Sequence, residues 1–221
     1  MQEKKHWNSL DNIKRYPVNS SKVSKALSQV DLKTCTPNPE TIFEAFSYCP
    51  YDKLKVIWIG QDPYPQHGVA TGIAFGNKEE TPSERISPSL KILRDSAIKY
   101  LEKNPEDINF DITLKSWEEQ GILMLNSSLT TRAGEIGAHT MIWRPVISDF
   151  LSRISWINPN LVYVLSGGIA NSFKPYIGGN KGIISTVHPS FCIRTNTPFP
   201  DVFNSVNAFL RMNDKETIKW M

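Results

Sequence analysis

The chain has 221 residues, of which 40% are hydrophobic, and a formal net charge of +3 at pH 7. This length suffices for one sizeable core, so we expect residues 1–221 to form a single domain. No stretch approaches the roughly 20 apolar residues of a membrane span, and the first residues lack the apolar region of a signal peptide. Cys35, Cys49 and Cys192 are too far apart for a zinc or iron–sulfur ligand set. We expect a soluble intracellular protein, cytoplasmic or, in a eukaryote, nuclear, with reduced thiols.

Apolar runs and helical spacing alternate along the chain. Strands are predicted at residues 54–59, 122–125, 161–165 and 183–187. Helices are predicted at residues 89–102, 114–120, 142–157 and 201–212, with a long connection at residues 76–89. About 50 N-terminal residues should form helical packing ahead of the motif-bearing core at residues 54–220. The alternation predicts an α/β fold, a four-stranded parallel sheet flanked by helices on both faces.

All four predicted strands run into segments of unusual chemistry. The segments begin at Gly60 (GQDPYP), Asn126 (NSS), Ser166 (SGG) and His188 (HPS). In open parallel sheets ligands bind beyond the carboxyl ends of the strands, so an acid, an amide, a glycine pair and an imidazole should converge there. Each feature also has an ordinary structural explanation, such as a helix cap, a loop bridge, a turn or a core histidine. Their occurrence at four successive strand ends favours a shared site.

The ordered motifs resemble those of uracil-DNA glycosylases. GQDPY at residues 60–64 is similar to that family's water-activating motif, and GIAF at residues 72–75 to its base-stacking segment. SPSL at residues 87–90, WEEQGILMLNSSLTTR at residues 117–132 and HPS at residues 188–190 resemble its DNA-contacting, uracil-reading and DNA-intercalating segments. The resemblance implies an enzyme that flips uracil out of single- or double-stranded DNA. It would hydrolyse the N-glycosidic bond without metal or cofactor and leave an abasic site for base excision repair.

The same resemblance assigns roles to five side chains. Asp62 would position or deprotonate the attacking water and stabilise the cationic sugar, while His188 would donate to uracil O2 as negative charge develops there. Asn126 would accept from N3–H and donate to O4, a pattern that rejects cytosine. Phe75 would stack on the base, and Tyr64 would exclude thymine by blocking its 5-methyl group. Gln61 would contribute mainly through its main chain.

The predicted DNA contacts lie in three loops. They are Ser87, Pro88, Ser89, Gly167, Gly168, Ser190, Phe191, Cys192, Ile193 and Arg194. Short side chains and main-chain N–H groups there can approach phosphates closely. The Ser-Pro-Ser segment fits equally well an ordinary helix N-cap with proline in the first turn.

Three positions depart from the family pattern. Pro65 stands where most members carry histidine, although the poxviral branch also has proline there. Gly168 replaces the usual serine. Cys192 aligns with the leucine that wedges into the DNA and is shorter. We therefore predict that Phe191 or Ile193 fills the gap left by the flipped base, with Arg194 reaching phosphate or the minor groove.

The sequence also allows other functions. A non-catalytic DNA-binding homologue would keep the fold, although retention of both Asp62 and His188 argues against it. A glycosylase for another modified pyrimidine would require rearrangement of Tyr64 and Asn126. A nucleotide-binding α/β domain is disfavoured because the chain has no P-loop or dinucleotide fingerprint. The expected partners are uracil-containing DNA and a DNA-mimicking protein inhibitor, with no membrane, and the chain should be a monomer.

Overall fold

The computed structural model describes residues 11, 13–102, 110–179 and 182–221. The strands, in chain order, are β1 (Cys35–Thr36), β2 (Val56–Gly60), β3 (Ile122–Asn126), β4 (Thr131–Arg132), β5 (Val162–Ser166) and β6 (Ile183–Thr186). The α-helices are α1 (Ser20–Leu27), α2 (Ala45–Tyr48), α3 (Pro88–Tyr100), α4 (Lys115–Glu118), α5 (Thr140–Ile157), α6 (Gly167–Asn171), α7 (Pro189–Thr195) and α8 (Val202–Met212). Short 3-10 helices lie at Pro39–Thr41, Tyr51–Lys53, Ser83–Arg85 and Lys174–Tyr176. None of the described helices is both long and apolar enough to cross a membrane.

The central sheet has four parallel strands in the order β3-β2-β5-β6. Val56 of β2 lies opposite Ile122 of β3 and Val162 of β5, so the carboxyl ends of these strands lie side by side. The predicted parallel α/β sheet is therefore confirmed. A second ladder, of two residues in each strand, pairs β1 with β4 in antiparallel orientation.

Helices cover both faces of the sheet, and each strand feeds two cores. Ile57 and Ile59 of β2 face a core completed by α1, α2 and α5. Val56 and Trp58, the alternate residues, face a core completed by α3, α4, α7 and α8. In the second core the Trp58 ring stacks on Trp117, with ring centroids 6.0 Å apart. Burial on both faces explains why the strands are continuous apolar runs instead of alternating ones.

Several predicted boundaries differ from those of the structure. The strands β2, β3 and β5 end one residue later than predicted, at Gly60, Asn126 and Ser166. These small or polar residues still pair in the sheet, Gly60 with Asn126 and Ser166 with Thr186. Of the predicted helix at residues 114–120, only Lys115–Glu118 is helical, since Leu114 has a φ of +61°. The helices α6 and α7 were not predicted because five and seven residues are too few for a clear period. The described part of the N-terminal region contains the helices α1 and α2 and the strand β1, which was not predicted, while residues 1–10 and 12 of the expected helical packing lie outside the described residues.

Candidate active site

A cleft of about 170 Å³ opens at the carboxyl ends of β2, β3 and β6. It brings together eight of the residues predicted from the sequence, namely Gln61, Asp62, Tyr64, Phe75, Ser89, Asn126, His188 and Ser190. The remaining lining residues are Pro63, Pro65, Ala70, Gly72, Ile73 and Ile136. An acid, an amide and an imidazole from three separate strand ends thus share one cleft.

Asp62 is a partly buried carboxyl group held by a main-chain donor. Its Oδ2 accepts a hydrogen bond of 2.6 Å from the N–H of Gly137. Burial raises the pKa of Asp62, and this effect outweighs the lowering by the Gly137 N–H and by the Thr131 side chain. The residue therefore combines a desolvated position with a donor that favours its charged form.

The loop that carries Asp62 is held by contacts from β1 and from the segments after β3 and β4. The carbonyl of Gln61 accepts from the Ser128 N–H at 3.1 Å and from the Ser127 hydroxyl at 2.5 Å. The carbonyl of Tyr64 accepts from the Thr36 hydroxyl at 3.2 Å. These contacts fix the loop through its main chain, which places Asp62 without using other charged groups.

His188 is the N-cap residue of α7 and presents a neutral ring. Its Nδ1 accepts from the Ser190 N–H at 3.2 Å and lies 2.8 Å from the Ser190 Oγ. Burial, with a smaller contribution from the charge of Arg194, lowers the pKa of His188 to about 4. Because Nδ1 is an acceptor, the single proton of the neutral ring lies on Nε2. The ring therefore offers one N–H donor.

The side chains of Phe75 and Asn126 pack closely against Gly60 at the end of β2, and Tyr64 is bonded to Phe75. A Cβ atom on Gly60 would lie 2.9 Å from Asn126 Oδ1 and 3.0 Å from Phe75 Cζ, so a larger residue here would displace these two side chains. Phe75 adopts a φ of +66°, which is rare for a residue with a side chain. Its carbonyl accepts from the Tyr64 hydroxyl at 2.9 Å, and its ring centroid lies 5.6 Å from that of His188. The strained backbone is thus held by a hydrogen bond and by packing.

The Ser-Pro-Ser segment forms the start of α3. Ser87 occupies the N-cap position and Pro88 the first turn, but the Ser87 side chain does not cap the helix. Its hydroxyl accepts from the Asn77 amide at 2.8 Å, and its N–H donates to the same side chain at 2.9 Å. Both serines are buried, but Ser87 is engaged by Asn77, whereas Ser89 lines the cleft.

Gly167 and Gly168 open α6 instead of forming an isolated turn. Gly167 has a φ of +89°, and a Cβ atom there would lie 2.9 Å from His188 Cβ. Nothing lies within 4 Å of a Cβ built on Gly168. The first glycine lets the end of β5 approach His188, while the second leaves open space beside it.

The helix α7 determines which residues after His188 face outward. Phe191 is 40% exposed and Ile193 is 47% exposed, and the guanidinium of Arg194 lies 5.9 Å from the Phe191 ring centroid. Cys192, which was predicted among the DNA-contacting residues, is 2% exposed and packs in the second core. The helical turn directs its side chain inward, away from the surface that Phe191 and Ile193 expose.

One segment of the site was not predicted from the sequence. Ile136 is 67% exposed and lines the cleft, and the neighbouring Gly137 holds Asp62. The segment lies between two motifs and has no apolar period. A usable signal is the spacing of Gly134 and Gly137, both of which adopt a positive φ.

The described part of the chain contains no cluster of three or more His, Cys, Asp or Glu side chains that could hold a metal ion. The cleft itself offers a carboxylate, a neutral imidazole donor, an amide and two aromatic rings. Such a set can stabilise positive charge on one group and negative charge on another.

Comparisons with known proteins agree on one family. The model of the uracil DNA glycosylase superfamily matches residues 46–211. The chain is 32% identical to uracil-DNA glycosylase 1 of Listeria innocua over 187 residues, covering 83% of this chain and 82% of that protein. It is 30% identical to the uracil-DNA glycosylase of Leuconostoc citreum over 220 residues, covering 97% and 96% of the two chains. The crystal structure of a variant of mimivirus UNG in complex with UGI matches with a TM-score of 0.76 at 25% identity, covering 97% and 87%. The chain belongs to the uracil DNA glycosylase superfamily.

Proposed function

We propose that this chain removes uracil from DNA by hydrolysing its N-glycosidic bond, with Asp62 and His188 as the catalytic residues. The observation that carries the proposal is that a partly buried carboxyl and a neutral imidazole donor line the same cleft. The bond is out of reach inside a duplex, so the nucleotide must first be extruded at a cost of a few kcal/mol. The product is an abasic site, the substrate of later steps in base excision repair.

Two charges develop as the bond breaks, and the two residues meet them separately. Positive charge builds on the deoxyribose, where ionised Asp62 stabilises it and orients the attacking water. Negative charge builds on the departing base, where the Nε2–H of His188 donates to uracil O2. Because the pKa of His188 is about 4, the ring stays neutral at pH 7 and acts as a hydrogen-bond donor instead of a full acid.

The base is selected by shape and by its polar edge. Asn126 is 6% exposed and can pair with N3–H and O4 of uracil, an arrangement that cytosine does not match. Thymine presents the same polar edge as uracil, so it has to be excluded sterically by Tyr64. The Tyr64 hydroxyl bond to the Phe75 carbonyl holds the blocking ring and the stacking ring together.

The test is release of free base from oligonucleotides that carry a single uracil, thymine or cytosine. We expect release of uracil alone, and we expect Tyr64→Ala to release thymine as well, with the preference for uracil falling about tenfold or more. Tyr64→Phe is the matched control, because it keeps the ring while losing the bond to Phe75, and it should still exclude thymine. Binding of DNA without release of any base would support the non-catalytic homologue. If Tyr64→Ala still releases no thymine, Tyr64 is not the residue that excludes it.

The exposed residues of α7 supply the proposed wedge. Phe191→Ala or Ile193→Ala should lower uracil release from duplex DNA about tenfold or more, because unstacking a base step costs a few kcal/mol. Release from single strands should change little, so the ratio of kcat/KM on the two substrates is the measurement. Trp156→Ala is the control, since Trp156 is 88% exposed near the far end of α5. If both α7 variants keep the ratio, another residue is the wedge.

The proposal extends to partners and organisation. Ser89, Ser190 and Gly168 contact phosphates, and the same face accepts a DNA-mimicking protein inhibitor, as the mimivirus relative in complex with UGI suggests. The two cores include residues from Ile13 to Trp220, which supports a single domain. We propose that the chain acts inside the cell as a monomer and needs no cofactor.

A further inference from the structure

The segment formed by residues 132–137 lies against the loop that carries Asp62. It contacts that loop at two points: the Gly137 N–H donates to Asp62 Oδ2 at 2.6 Å, and the Gly134 N–H donates to the Pro65 carbonyl at 2.8 Å. Both donors belong to the main chain, so side-chain motion does not weaken them. The carboxylate is therefore held from outside its own loop.

The segment is itself held by contacts within it and by a contact with the region next to β1. Arg132 and Glu135 form an ion pair, and the Glu135 carbonyl accepts from the Thr131 hydroxyl at 2.5 Å. The Ala133 N–H donates to the Thr34 carbonyl at 2.9 Å, which ties the segment to the region next to β1. These anchors lie just ahead of Gly137, and on its other side the Thr140 N–H donates to the Gly137 carbonyl at 3.1 Å.

We propose that residues 132–137 are a positioning element for Asp62, in which the main-chain N–H of Gly137 holds Oδ2 and keeps the carboxylate in one orientation toward the substrate. This inference rests on the proposed role of Asp62. Pro65 lacks an N–H and an imidazole, so the motif loop cannot supply an equivalent donor at that position. The left-handed backbone of Gly137, with a φ of +79°, gives its N–H the required direction.

The ionisation of Asp62 gives this role a specific signature. A hydrogen bond to the carboxylate favours the charged form, so its loss should raise the pKa of Asp62 further above its usual value. Among the described residues, the titratable side chains that line the cleft besides Asp62 are Tyr64 and His188, while Arg132, Glu135 and His139 lie in the segment or directly after it. Arg132 and Glu135 pair with each other, while burial lowers the pKa of both histidines and raises that of Tyr64. Of these groups, Asp62 is the one that accepts the Gly137 hydrogen bond, so a shift of the acid limb of the rate profile to higher pH when this bond is lost reports Asp62.

The experiment compares two substitutions at the same position. Valine disfavours a positive φ and should displace the Gly137 N–H, whereas asparagine tolerates this backbone and should retain it. A Cβ atom at this position would meet only Thr140 Oγ1, at 3.6 Å, so neither side chain is excluded by space. Gly179→Val is the control for the general cost of valine at positive φ, because Gly179 has a φ of +62° and lies far from the cleft.

We expect Gly137→Val to lower kcat about tenfold or more, as expected for loss of a hydrogen bond to a charged group, with little change in KM. Its acid limb should move to higher pH, while Gly137→Asn should recover most of the rate and the native limb. Gly179→Val should lose stability but keep the native pH profile. A folded Gly137→Val variant with native kcat and an unmoved acid limb would overturn the inference. If Asp62→Asn is fully active, the proposed function of Asp62 fails first, and that result is distinguishable because it does not involve Gly137.

Discussion

Replacing Asp62 by asparagine is expected to slow uracil release by about 10²- to 10⁴-fold, the usual contribution of a positioned acid or base. The amide carries no charge to stabilise the cationic sugar and cannot accept a proton from water. It can still accept the Gly137 hydrogen bond through its oxygen, so the fold of the loop should survive. Single-turnover release from a single-stranded oligonucleotide measures the chemical step without the cost of opening a duplex.

His188→Ala should slow uracil release by about 10²- to 10³-fold in the same assay, the effect of removing one donor from a developing anion.

Asp201→Asn is the matched control for Asp62→Asn. The Asp201 carboxylate caps α8 by accepting from the Asn204 N–H at 3.0 Å, and asparagine can serve as the same cap. Its rate should equal that of the native chain. Native rates in Asp62→Asn would exclude this carboxylate from the chemistry.

The fold could be predicted from the sequence because its strands are buried on both faces. Runs such as Val56 to Ile59 are apolar without interruption, and this pattern indicates a parallel sheet covered by helices. The ladder of β1 with β4 could not be predicted, because two residues show no period and their pairing joins segments almost 100 positions apart. Short elements are specified by tertiary contacts more than by local pattern.

The site was predictable to the extent that it lies at strand ends. Asp62, Asn126 and His188 directly follow or end apolar runs, and the topology then brings them together. The contact of Gly137 with Asp62 spans 75 positions, and no local signal announces it. The orientation of Cys192 depended on α7, since each residue of a helix turns by about 100° and neighbouring side chains point in different directions.

Glu118 is an acidic residue outside the cleft whose burial is costly. Glu118 is fully buried, and its Oε1 accepts from the Met124 N–H at 3.2 Å in the edge strand β3. Within the described part of the chain its Oε2 has no hydrogen-bond partner. The Met124 carbonyl accepts from the Ala74 N–H at 2.9 Å. The main chain of Met124 therefore links Glu118 to the residue next to Phe75. Glu118 thus supports the cleft from behind β3.

Glu118→Gln is expected to raise the free energy of unfolding at pH 7, and the gain should increase with pH. Burial raises the pKa of Glu118 well above its usual value, so the folded chain binds more protons than the unfolded chain once the pH exceeds about 4.3. Stability is therefore lost as the pH rises toward the folded pKa, at ~1.4 kcal/mol for each unit, and glutamine removes this loss while keeping an acceptor for Met124. Denaturant unfolding at pH 4, 7 and 9 measures the effect, with exposed Glu119→Gln as the control that should show no such trend. If Glu118→Gln brings no gain in stability at any pH, Glu118 is stabilised in its charged form. Glu118→Leu leaves the Met124 N–H unpaired, so this variant should be less stable than the native chain at every pH and should release uracil more slowly.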